Sequence, residues 1–317
     1  MICTEMLTPV SAAATAAALG YFDGVHLGHR RVLDAARQCA AQHGLVTAAF
    51  TFRLPAGGGA GKGRLLLTET EKRRRMAKEG VQEYFCPPFA DFCGLSPARF
   101  VDDVLLGCLH ARCVFCGDNF TFGAHKGGNV EILGELCAQR GIGVTIVDMA
   151  QYENDLVSST RVRQALADGN VEAANAMLGE PYRLDLSACR AQLGQGMDQP
   201  APAPDAPALP VLRQTFAPGM LVPRPGVYLA AARLGGVWRP ACCAVAPVQD
   251  GTCVCDTLAP HADGPAHTGA DAPFAVCLYH YEKPLVRFAG AGALQRYLLD
   301  AAEAAAALLA QGRTTGN

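Results

Sequence analysis

The stretch LGYFDGVHLGHRRVL, residues 19–33, constrains this chain more than any other. It sets two histidines, His26 and His29, in a glycine-rich turn between an apolar run and an amphipathic helix. A helix N-terminus presents unpaired N–H groups and the positive end of the helix dipole, so the turn favours an anion. Glycines at 20, 24 and 28 let a phosphate approach the backbone, and imidazoles can donate hydrogen bonds to phosphoryl oxygens as charge develops. Such a device suits a nucleoside triphosphate.

The segments after the turn predict a parallel sheet. Val32, Leu33, Ala36, Cys39 and Ala40 share one helical face, Gly44 stands at the C-terminal cap, and LVTAAFTF is a buried strand. A strand, turn, helix, strand unit binds ligands at the carboxyl ends of its strands. TETEKRRRMAKEG predicts a helix with a solvated charged face, with Arg73, Arg74 and Arg75 on the surface. SPARFVDDVLLGCL opens with a Ser N-cap and a Pro at the first helical position. ARCVFCGDNFTFG is a strand running into a polar, aromatic loop, GGNVEILGELCAQRG a helix, and GVTIVDM a strand, so the alternation continues to about residue 150. A second helix start, Ser158, Ser159 and Thr160 with Arg161 and Arg163, again offers hydroxyls and guanidiniums to an anion.

Beyond Pro181 the texture changes. Residues 198–210 form a Pro/Ala segment unable to hold regular hydrogen-bonded structure. GVYLAAARLGGVWRPACCAVAP predicts a β-hairpin about Gly235 and Gly236, and FAVCLYHYEKPLVRF and an Ala/Leu helix over about 293–310 finish the chain. With 317 residues, two domains are expected, 1–184 and 185–317, the second mainly β with a terminal helix.

Several function classes are disfavoured. With 27 basic against 29 acidic residues the net charge is -2, so neither nucleic acid nor an anionic membrane is an expected partner. The 14 cysteines are spread along a long chain, and Cys113 and Cys116 share a strand where their spacing points them to opposite faces, so reduced thiols and no metal site are expected. The run 12–19 lacks a positive n-region and is far shorter than a membrane span, which predicts a cytoplasmic protein. In GGGAGKG a phosphate-binding P-loop fails on both sides. Ala56 takes the first glycine's place and Gly63 that of the Ser or Thr, leaving a surface loop.

GYFDGVHLGH, LSPARFV, GDNFTFG, and SSTRVR followed by LGEPYRL occur in an order that resembles the bacterial FAD synthetase family, bifunctional riboflavin kinases and FMN adenylyltransferases, over roughly residues 19–184. The resemblance implies a Rossmann-like H-x-G-H nucleotidyltransferase domain followed by a barrel-like riboflavin-kinase-type domain. It implies that FMN phosphate attacks the α-phosphorus of ATP, giving FAD and pyrophosphate, with Mg²⁺ accompanying ATP. By the same resemblance His26, His29 and Arg163 are the catalytic set, Gly20, Phe22, Gly24, Gly28, Ser159 and Thr160 bind ATP phosphates, and Asn119 lies at the ATP and flavin site.

Departures from the family pattern bear on function. Tyr21 stands where the family usually has Asn, and TFRLPAGGGAG replaces a Pro-His-Pro element. The kinase signature Gly-Phe-Pro-Thr-Ala-Asn is absent. Where a glutamate base is expected the chain reads TCVCDTLAPH, with Asp256 the nearby carboxylate. The expectation is therefore FAD synthesis from FMN with lost kinase chemistry. The alternatives are a bifunctional enzyme with an atypical kinase site, a non-catalytic flavin-nucleotide binding protein, and nucleotidyl transfer to another phosphorylated acceptor.

Overall fold

Small apolar residues in the strands and amphipathic helices between them produce two compact units, residues Met1–Ser159 and Thr160–Asn317. The computed structural model describes residues 1–55, 63–185, 192–193, 211–217, 219–234, 236–247, 253–258, 275–285 and 291–312. The Pro/Ala segment, Gly235 and all of the glycine-rich loop but Gly63 lie outside the described residues.

The first unit runs β1 (Ile2–Thr4), β2 (Thr15–Leu19), α1 (Leu27–His43), β3 (Val46–Phe50), α2 (Glu69–Lys78), β4 (Glu83–Phe85), α3 (Pro97–Arg99), β5 (Ala111–Gly117), α4 (Val130–Ala138) and β6 (Gly143–Val147). Its six strands pair in parallel in the order β1-β4-β3-β2-β5-β6. β2 is central and wholly buried. Ala16, Ala17 and Ala18 within it leave room for α1, which lays Leu33, Ala36 and Ala40 over β2, β3 and β5. The chain builds outward from β2 through β3 and β4 on one side and through β5 and β6 on the other. The strand order therefore reverses between β2 and β5, the topological switch point where open α/β sheets bind ligands. β7 (Gln151–Tyr152) and β8 (Asp155–Leu156) form a small antiparallel ribbon after β6.

Three local expectations need correction or refinement. α1 begins at Leu27 rather than at the arginines, so His26 is its N-cap and His29 lies inside its first turn. α2 is not a solvated strip. Glu71, Lys72, Arg75 and Met76 recur on one face and are all buried, because the ion pair of Arg75 with Glu71 (3.0 Å) neutralises both charges inside. The helix opened by Ser96, whose hydroxyl receives the Arg99 N–H at 3.3 Å, widens into a π-helix over Phe100–Leu106, with Phe100, Val101, Val104 and Leu105 buried. The Gly44 cap is as expected, with φ 64° and its N–H donating to the Ala40 carbonyl.

In the second unit, α5 (Ser159–Asp168, whose first residue closes the first unit) and α6 (Val171–Leu178) precede β9 (Tyr182–Asp185), β10 (Gln192–Leu193), β11 (Val211–Thr215), β12 (Gly226–Leu234), β13 (Val237–Pro247), β14 (Cys253–Leu258), β15 (Ala275–Lys283) and α7 (Ala291–Gly312). The strands form a seven-stranded antiparallel sheet, order β10-β11-β14-β13-β12-β15-β9, curled into a half-barrel. β12 and β13 are the expected hairpin, closing at the Leu234 and Val237 pair, and α7 packs on them. Every described cysteine is free. No described helix is long and apolar enough to cross a membrane.

Candidate functional site

The turn between β2 and α1 stands at the switch point, and its backbone is under strain. Phe22 (φ 53°), Gly24 (φ 93°) and Val25 (φ 45°) all take left-handed conformations, which costs about 1 to 3 kcal/mol for each non-glycine residue and persists only where surroundings enforce it. The enforcing contacts are present. Ser159 at the start of α5 donates its hydroxyl to the Asp23 carbonyl at 2.7 Å, and the wholly buried Asp23 carboxylate accepts the Leu66 N–H at 3.0 Å. The Arg30 Nε donates to the Val25 carbonyl at 3.2 Å, and the Phe22 ring is buried edge-on against His29, 5.3 Å between centroids.

The two histidines stack. Their ring centroids are 3.6 Å apart and their planes 16° from parallel, with His26 buried and His29 half-buried. The His26 Nδ1 accepts the His29 N–H at 3.4 Å, so in the neutral ring Nε2 carries the proton and remains a donor. Gly28 is needed between them, since a methyl group there would come within 3.2 Å of the His26 ring. A methyl at Gly20 would come within 3.1 Å of Phe22.

Asn119 is exposed in the turn after β5, the strand beside β2. Met149, which no motif or periodicity in the sequence singles out, fills the space between these turns. A methyl added at Gly28 would lie 3.6 Å from its Cε, and one at Gly117 would lie 3.3 Å from its Sδ. His26, Gly28, His29, Gly20, Phe22, Gly24, Ser159 and Asn119 thus share one end of one sheet. Thr160, exposed, and Arg163, half-buried, come after Ser159 on the first turns of α5 and are counted with the second unit.

Beside the turn, Phe120 and Phe122 pack on the core of the sheet, so both serve packing. Tyr21 tilts against Phe52 at 4.9 Å. Arg53, where the Pro-His-Pro element would stand, pairs with Glu5 at 2.7 Å, and Arg53 followed by Arg73 holds the Glu5 carboxyl below its usual range. Burial pushes the Cys116 thiol at the end of β5 up to about 12, which removes it as a nucleophile at neutral pH. Among the described residues no cluster of His, Cys, Asp and Glu is arranged to hold a metal ion. The arrangement can bind and orient an anion and donate protons toward it.

The FAD synthetase family model matches residues 9–161. A bifunctional riboflavin kinase/FMN adenylyltransferase of Listeria monocytogenes is 38% identical over 170 residues, 52% of this chain and 54% of the relative. One from Bacillus subtilis is 33% identical over 52% of this chain and 53% of the relative, so the matched region spans about half the length of these two proteins. One from Pseudomonas fluorescens is 30% identical over 230 residues, 69% of this chain and 68% of that protein. A solved structure described as a macrolide-efflux protein from Streptococcus pneumoniae superposes with a TM-score of 0.77 over 95% of this chain and 97% of the other, at 22% identity. At that identity the likeness is one of fold.

Proposed function

The chain belongs to the FAD synthetase family, and from that premise we propose that it transfers AMP from ATP to FMN, giving FAD and pyrophosphate, and that it has lost riboflavin kinase activity. The observation that carries the reading is the strained turn at the switch point of a parallel sheet, ending in two stacked histidines on a helix N-terminus. In this proposal the adenylyltransferase domain comprises residues 1–184 and the kinase-like domain 185–317, in a cytoplasmic enzyme.

The chemistry assigned to the residues derives from charge and position. The turn at Gly20, Phe22, Gly24 and Gly28 offers backbone N–H groups to the triphosphate, and the imidazoles of His26 and His29 donate to the oxygens that gain charge as the FMN phosphate attacks. Thr160 binds the leaving phosphates through its hydroxyl and Ser159 through its backbone N–H at the start of α5, its own hydroxyl being given to the Asp23 carbonyl, and Arg163 neutralises them. Asn119 borders ATP and flavin. No covalent intermediate is required, because holding two anions in line accounts for much of the acceleration. Mg²⁺ enters with the triphosphate and offsets its charge.

Lost kinase chemistry is supported by Asp256. It stands in β14 opposite Arg213 of β11 and Ala244 of β13 and is 5% exposed, a poor position for a base that must reach a riboflavin hydroxyl. The test is to incubate the full chain with ATP and Mg²⁺, with FMN or with riboflavin, and to separate the flavins, with a His29→Ala variant alongside. FAD from FMN alone, abolished by the substitution, is the expected result. FMN or FAD from riboflavin would restore a bifunctional enzyme. No product from either flavin would leave a binding protein or a different acceptor.

A further inference from the structure

The strained turn is held from one side by a helix that the reaction chemistry does not otherwise use. Lys72 and Arg75 are three residues apart and therefore share one face of α2. Both are buried, at 5% and 1% exposure. The Lys72 Nζ donates to the Tyr21 carbonyl at 3.3 Å and lies 4.9 Å over the Tyr21 ring. The Arg75 Nη1 donates to the Gly24 carbonyl at 3.0 Å, while its Nε donates to Glu71 at 3.0 Å. The two carbonyls bracket the left-handed residue Phe22, and Gly24 is itself left-handed.

We propose that Lys72 and Arg75 are positioning residues of the candidate ATP site, fixing the path of the turn that receives the triphosphate. The inference rests on the function proposed above and extends it to α2. A trans peptide sets each C=O and the next N–H on opposite sides. Drawing the Tyr21 carbonyl toward Lys72 therefore turns the Phe22 N–H away from α2. Drawing the Gly24 carbonyl toward Arg75 turns the Val25 N–H back across the turn, where it meets the Phe22 carbonyl at 3.4 Å and closes the loop. Arg75 acts by geometry, its Nε held by Glu71, which Arg74 also engages at 2.7 and 2.8 Å, and its Nη1 by the Gly24 carbonyl. A lysine there keeps the charge but cannot span Glu71 and Gly24 with one ammonium. Tyr21 is also held by the Thr51 hydroxyl at 2.7 Å, so loss of Lys72 loosens the turn without releasing it.

The test is calorimetric titration of ATP with Mg²⁺, without flavin, into the full wild-type chain and into Lys72→Met, Lys72→Arg and Arg75→Lys, with thermal unfolding of each. Lys72→Met and Arg75→Lys should bind ATP about tenfold more weakly while unfolding within about 3 °C of wild type, and Lys72→Arg should recover most of the loss. In turnover, KM for ATP should rise in Lys72→Met and KM for FMN should not. A packing role alone would move the unfolding temperature and spare the ATP affinity of the folded fraction. Wild-type affinity in Lys72→Met would overturn the inference while leaving the site intact. A wild-type chain that binds no ATP would remove the site and the inference together.

Discussion

His26 caps the helix on which His29 rides: its Nδ1 accepts the His29 N–H at 3.4 Å and the two rings stack at 3.6 Å. One residue thus ends the turn, starts the helix and sets the orientation of its partner. The two rings form one stacked unit, and whatever displaces one displaces both.

Gly28→Ala tests that unit with little disturbance elsewhere. Gly28 lies in the first turn of α1, where alanine is well tolerated, but the new methyl would meet the His26 ring at 3.2 to 3.3 Å. The ring must give by a few tenths of an ångström, and FAD formation from FMN should fall severalfold, since misplacement at a reacting centre is costly. Gly44→Ala is the counterpart at the other end of the helix, where no atom lies within 4 Å of the added methyl but φ is +64°. It should cost about 1 kcal/mol in urea unfolding and leave the rate per folded molecule unchanged.

Glu71→Gln should destabilise the fold by about 3 kcal/mol, because it leaves the buried Arg75 guanidinium facing a neutral amide. Urea unfolding monitored by circular dichroism measures it. A loss below about 1 kcal/mol would mean that the Gly24 carbonyl and the remaining contacts suffice for the buried cation.

Ser159→Ala removes the 2.7 Å hydrogen bond to the Asp23 carbonyl. Stability should fall by about 1 kcal/mol. ATP affinity should fall as well, since the bond anchors the turn from α5. Equal ATP affinity in the two proteins would separate Ser159 from the site.

Thiol labelling at pH 8 should divide the cysteines by burial. Cys3 and Cys93 are exposed and should react within minutes, whereas burial pushes Cys116 and Cys242 up to about 12 and should keep both unmodified in the native protein. The same shifts act on stability. A thiol whose folded value lies above its unfolded value contributes fully below the unfolded value, near 8.5, and loses that contribution as pH rises toward 12. Unfolding temperature should therefore decline through this alkaline window, and mass spectrometry of labelled peptides should show Cys116 and Cys242 opening with it.

Features governed by neighbours along the chain could be read from the sequence. The Gly44 cap, the Ser96 cap, the β12 and β13 hairpin and the turn itself arise from left-handed backbone, short polar side chains and periodicity. These act within a few residues, so the sequence alone determined that a strand passes through a glycine-rich, anion-favouring turn into a helix. It could not determine what holds that turn. Arg75 and Lys72 stand in a run of charges that periodicity assigns to the surface. Only folding places Glu71 beside Arg75 and presents the carbonyls of Tyr21 and Gly24 to α2, some fifty residues distant in the chain. Met149 likewise gains its place from β6 bringing it between Gly28 and Gly117. A buried charge is stable only when its partners arrive with it, and those partners are fixed by strand order and helix packing, which no local window of sequence contains.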